Sequence, residues 1–123
     1  MKEYIVDTNI LLRFLLRDIE DQYQKSKTLF EKAANRKIKL LVPQIVIFEI
    51  EFALRKFYGF EKGDVIERLE ALVSASYLKV ETREVFLASL NIYQSKNISF
   101  VDCFLKSYAE VKNATLASFD KKI

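Results

Sequence analysis

Four short apolar runs divide the chain, and the stretches between them carry helical periodicity. The runs are Glu3–Val6, "IKLLVP" (38–43), "YLKV" (77–80) and "ATLASF" (114–119). Each has the length and composition of a strand. Helical spacing covers Ile10–Leu16, Glu20 to about Arg36, "QIVIFEIEFALRKFYG" (44–59), "EKGDVIERLEALVSAS" (61–76), Thr82 to about Ser95, and "SFVDCFLKSYAEVK" (99–112). Pro43 suits the start of the third helix and Gly59 its stop. Strands that alternate with helices predict an α/β fold with a central parallel sheet covered on both faces and right-handed crossovers. With two glycines and one proline in the whole chain, loops are expected to be short. The 123 residues predict one domain, 1–123.

Composition excludes several chemistries. The chain has no histidine, which removes Ser-His and Cys-His catalysis and His-ligated zinc. Any metal site must be built from oxygen ligands, the preference of a hard cation. The lone cysteine, Cys103, lies in "FVDCFL" and reads as a small core residue. The net charge of +3 permits nucleic-acid binding without arguing for it. No signal peptide and no membrane-length apolar run is present, so a soluble, cytoplasmic protein is expected.

Most acidic residues lie in polar stretches, and Glu51 can pair with Arg55 one helical turn on. Four acids stand in apolar contexts: Asp7 after the first run, Glu49 inside "IVIFEIEFAL", Asp102 inside "ISFVDCFL", and Asp120 after "ATLASF". Each has a structural explanation. Asp7 suits a helix cap. Glu49 suits a solvent-facing position. Ser99 and Asp102 have the spacing of a capping box. Asp120 suits a turn before Lys121 and Lys122. Their placement gives a second explanation. Asp7 and Asp120 follow strands, and Glu49 and Asp102 are expected in the first turns of helices that begin at the same rim of the sheet, where α/β ligands gather. Acids crowded at one rim repel each other, and a divalent cation, Mg²⁺ or Mn²⁺, removes the repulsion. Ions held in this way serve phosphodiester hydrolysis.

The stretches "YIVDTNILL", "VPQIVIFEIEFAL", "ISFVDCFLKSYA" and "ATLASFD", in that order, resemble PIN-domain proteins of the VapC toxin type across essentially the whole chain. The resemblance implies a three-layer α/β/α sandwich and metal-dependent ribonuclease activity. It implies that Asp7, Glu49, Asp102 and Asp120 are the catalytic, metal-holding acids. Thr8 and Asn9 match the polar pair that orients the first acid or a water, and Ser118 matches the hydroxyl residue near the last acid. It further implies an RNA substrate, a small antitoxin partner and a homodimer. Some of the ten Phe and six Tyr are then candidates for an interface, while most are expected in the core. Arg13, Arg17, Arg55 and Lys56 are candidates to hold the RNA backbone. Family members continue past the last acid into a further strand. Here the sequence ends at "DKKI", so the core is expected to survive and Asp120 to be less firmly held.

Two other functions fit less well. An RNA-binding or RNA-processing module with a silent site conflicts with retention of all four acids. A phosphohydrolase with an aspartyl nucleophile wants a second acid two residues on, where this chain has Asn9.

Overall fold

A computed structural model describes residues 1–123. Its elements, in chain order, are β1 (Lys2–Ile5), α1 (Thr8–Leu16), α2 (Glu20–Ala34), β2 (Ile38–Val42), α3 (Gln44–Lys56), α4 (Lys62–Ser74), β3 (Leu78–Val80), α5 (Arg83–Ser95) and α6 (Phe100–Val111). The strands form one parallel sheet in the order β1-β2-β3. The expected α/β architecture is therefore present. Parallel neighbours cannot be joined by tight hairpins, so helix pairs α1–α2 and α3–α4 make the crossovers.

Register follows the period-two pattern of the strands. Leu40 pairs with Tyr4 and Leu78, and Val42 with Val80; Leu40, Leu78, Val42 and Val80 are all buried on the core side. The alternate row, Ile5–Leu41–Lys79, turns the other way, and Ile5 is 74% exposed. The core is one cluster of 26 buried residues built from these strand positions and the apolar stripes of the helices. Phe48, Phe86, Phe100 and Phe104 interlock in it, with Phe48–Phe104 edge to face at 4.9 Å. Cys103 is buried there, as expected of a small core residue. No helix is long and apolar enough to cross a membrane.

One expected strand does not form. Residues 114–119 have no ladder partner, and β1 pairs on one side only. Asn113 adopts a left-handed φ of 53°, and the Ala114 amide bonds back to the Ala109 carbonyl, closing the helix with a tight cap. Beyond that cap the segment is largely exposed, Phe119 completely so. Alternating apolar residues make a strand only when an edge receives their amides, and here none does. The end of α3 also differs from expectation. The helix stops at Lys56, and Gly59 (φ 67°) reverses the chain three residues later.

Candidate functional site

The rim beyond the carboxyl end of β1 is built by a two-residue connection, Val6 and Asp7, between β1 and α1. Val6 is buried, and its amide bonds to the Leu41 carbonyl at 2.9 Å, extending the ladder by one residue. Asp7 follows in extended conformation and caps α1, its Oδ1 accepting from the Ile10 amide at 3.2 Å. The cap is thus Asp7 itself. It engages one carboxylate oxygen and leaves Oδ2 without a protein partner.

Thr8 turns its hydroxyl across to the next crossover. Its Oγ1 donates to Glu49 Oε1 at 3.0 Å, tying α1 to α3. Thr8 is expected to orient Asp7 or a water, and the protein group its hydroxyl engages is Glu49. Glu49 lies in the second turn of α3, not the first, and is exposed. Its Oε2 is unengaged. Asn9 is exposed, and its side-chain amide makes no hydrogen bond.

Asp102 occupies the first turn of α6. Ser99 caps that helix, its Oγ accepting from the Asp102 amide at 3.1 Å. The reciprocal half of a capping box is missing, so capping accounts for Ser99 and not for the carboxylate. That carboxylate is half-buried with no hydrogen bond and no ion pair. Its neighbour Val101 lines one hollow together with Thr8, Asn9 and Glu49.

Asp120 stands apart. With the fourth strand absent it lies in an exposed turn. Its Oδ1 accepts from the Lys122 amide at 2.9 Å, and Ser118 Oγ accepts from the Asp120 amide at 3.0 Å. This is the turn role that the sequence also allowed. No three acidic side chains converge closely enough to share one ion. Three of the four acids are exposed and Asp102 is half-buried, so the cost of burying a charge does not apply to them as their apolar flanks suggested.

That cost falls on Glu51, which sequence reasoning set aside. Glu51 is 4% exposed. Its carboxylate accepts from Arg55 Nε at 2.7 Å and from the Tyr93 hydroxyl at 2.8 Å, so the buried charge is paired and hydrogen-bonded. Burial, then the hydrogen bond to Glu51, pushes the Tyr93 hydroxyl well above its ordinary range. The Arg55 pair was legible at i, i+4, but nothing local announces a tyrosine 42 residues away.

The basic residues expected to hold RNA are mostly engaged within the chain. Arg13 reaches Asp18 at 3.1 Å and the Tyr58 hydroxyl at 2.9 Å. Arg17 pairs with Glu20 at 2.7 Å and lies over the Tyr23 ring. Arg55 is held by Glu51 through Nε and Nη2, leaving Nη1 free. Lys56 is exposed and unpaired.

The rim can therefore offer unengaged carboxylate oxygens from two neighbouring crossovers, with a third acid on α6, and no nitrogen or sulfur ligand. The PIN domain pattern matches residues 4–123. The chain is 30% identical over 103 residues to a VapC ribonuclease of Aquifex aeolicus (strain VF5), covering 84% of this chain and 75% of that protein. The short first strand, the Asp-Thr-Asn that follows it, the parallel sheet and the match along nearly the whole length lead to one conclusion: the chain belongs to the PIN domain family.

Proposed function

We propose that this protein is a metal-dependent endoribonuclease that hydrolyses RNA phosphodiester bonds, and that it is the toxin of a VapBC-type pair restrained by a small antitoxin protein. The observation that carries the reading is the Thr8–Glu49 hydrogen bond. It fixes a carboxylate of α3 against the residue next to Asp7, which an ordinary surface acid does not require. Family membership and the similarity to a VapC ribonuclease support the same reaction class.

The donor chemistry fits a hard cation. The candidate ligands are all carboxylates and the chain has no histidine. Mg²⁺ commonly takes one or two carboxylates directly and keeps several waters, through which further acids of a rim where no three converge can hold it. Asp7, Glu49 and Asp102 are the proposed holders of Mg²⁺ or Mn²⁺, with Asp120 as a fourth ligand from the C-terminal segment. When bound, such an ion supplies Lewis acidity at the phosphate and acidifies water. The remaining work belongs to the chain. Asp7 Oδ2 and Glu49 Oε2 are the oxygens free to accept a proton from an attacking water. Thr8 keeps Glu49 in place, and Lys56 offers an unpaired cation to the RNA backbone. A homodimer in the cytoplasm completes the proposal.

The failure of three acids to converge is what favours the second reading, an RNA-binding or RNA-processing module that does not cut. One experiment separates the two. Purified protein is incubated with RNA and Mg²⁺ or Mn²⁺, with and without chelator, beside Asp7→Asn. Chelator-sensitive cleavage by the parent alone supports the nuclease. Equal cutting by both proteins, or RNA retention without any cutting, sinks it. The toxin role is tested separately, by growth arrest on expression and its relief by a small neighbouring protein.

A further inference from the structure

Behind the Thr8–Glu49 bond lies a hollow of about 580 Å³, within the range of small-ligand sites. One wall is Thr8, Asn9 and Glu49, the candidate rim itself. The opposite wall is aromatic. Phe52, Phe57 and Tyr58 crowd into seven residues at the end of α3, and they are 46%, 75% and 40% exposed. Phe52 and Phe57 meet edge to face at 5.6 Å and 86°. The Arg55 guanidinium lies 5.7 Å from the Phe52 ring. Clustered exposed aromatics are costly to leave bare and mark contact surfaces.

We propose that this hollow is a nucleobase subsite, taking one unpaired base of a single-stranded RNA next to the cleavage rim. The inference rests on the ribonuclease reading. Three features select a base over an apolar peptide. The hollow shares its wall with the acids, so RNA lying along the rim brings a base to this position. The exposed rings of Phe52 and Phe57 suit stacking, which tolerates every base. The polar groups at the hollow are the kind that read a base edge: the Asn9 amide is unpartnered, and Arg55 keeps Nη1 free. Glu51 is buried and holds that guanidinium from behind, with Tyr93 completing its hydrogen bonding, so Arg55 is fixed before RNA arrives.

The test uses a short single-stranded RNA carrying 2-aminopurine, whose fluorescence falls when the base stacks on an aromatic ring. Binding is measured on Asp7→Asn protein, to prevent cleavage, with and without Phe57→Ala. Phe57 is largely exposed, so its removal leaves the core intact. Tyr108→Ala, at an exposed aromatic near the end of α6 and outside the hollow, is the control. The expected result is quenching by the parent, and binding about tenfold weaker with the quench lost in Phe57→Ala. Tyr108→Ala is expected to behave as the parent. In the cleaving protein, Phe57→Ala is expected to raise KM about tenfold with kcat little changed. If Phe57→Ala binds, quenches and cleaves as the parent does, the subsite proposal is overturned and the ribonuclease reading survives; the aromatic face then belongs to a protein partner. If the parent neither binds nor cuts RNA with Mg²⁺ or Mn²⁺, both fall together.

Discussion

The Thr8 hydroxyl donates to Glu49 Oε1 at 3.0 Å, joining residues 41 positions apart at the rim of the sheet. The bond lets a carboxylate keep one position on an exposed helix face, where its rotamers are otherwise free. Thr8→Ser retains the hydroxyl and Thr8→Val removes it at almost constant volume. Cleavage is expected to fall about tenfold to a hundredfold in Thr8→Val and only slightly in Thr8→Ser. Single-turnover kinetics with matched thermal melts checks this. A Thr8→Val protein as active as the parent removes the positioning role.

Asp7 combines two duties that substitution can separate. Its Oδ1 caps α1 through the Ile10 amide, and its Oδ2 is free for chemistry. Asparagine caps a helix about as well as aspartate, whereas alanine does not. Asp7→Asn is therefore expected to lose cleavage while melting with the parent. Asp7→Ala is expected to lose cleavage and about 1 kcal/mol of stability, or about 4 °C in Tm. A large loss of stability in Asp7→Asn shows instead that the charge itself is structural.

These duties show how far sequence carries. Three strands, their parallel sense and all six helices were legible, because apolar periodicity of 2 or 3.6 is a local property. The division of labour between Glu49 and Glu51 was not. Two residues on a helix point to nearly opposite sides, and "IFEIEF" is apolar on both, so the pattern cannot say which acid is buried. Tyr93, on α5, two helices further on, decides that Glu51 is. The "ATLASF" segment fails for a related reason. Its composition suits a strand, but a strand exists only with a partner. The Asp120 position depended on that strand and moved with it.

The Glu51–Arg55–Tyr93 cluster predicts a stability loss out of proportion to one side chain. Glu51→Ala leaves a guanidinium and a buried hydroxyl without their acceptor. Breaking a buried pair costs roughly 3–5 kcal/mol, and the partial exposure of Arg55 places this case near about 3 kcal/mol. Urea unfolding should show a lower midpoint at an unchanged slope. Loss of less than about 1 kcal/mol identifies the cluster as solvent-screened.

Tyr93 makes the same cluster sensitive to alkali. Burial and the Glu51 carboxylate hold its hydroxyl protonated above the ordinary tyrosine value of 10.0. The folded state then keeps a proton that the unfolded chain releases, so stability is full below about pH 10 and declines as pH rises beyond it. Tyr93→Phe removes the proton and flattens that decline, at the expense of leaving Glu51 one donor short at neutral pH. Denaturation curves between pH 8 and 11, compared for the two proteins, read out the difference as a change of slope above about pH 10. Parallel slopes mean another group governs the alkaline limit.

Asp120 separates a fixed ligand from an accessory one. Asp7 and Glu49 are held at the rim by bonds to α1, whereas Asp120 is tied only within its own turn through Lys122 and Ser118. A carboxylate that must be brought to a metal contributes less than one already in place, because ordering its segment costs conformational entropy. Asp120→Asn is thus expected to lower cleavage about tenfold at limiting Mg²⁺, well short of the loss in Asp7→Asn, and to recover partly as Mg²⁺ is raised. Its melting temperature should match the parent, since the turn buries nothing. A metal titration of activity for the two variants side by side decides the matter. Complete loss in Asp120→Asn at every Mg²⁺ concentration places this acid among the essential ligands and requires the C-terminal segment to close onto the rim when RNA binds.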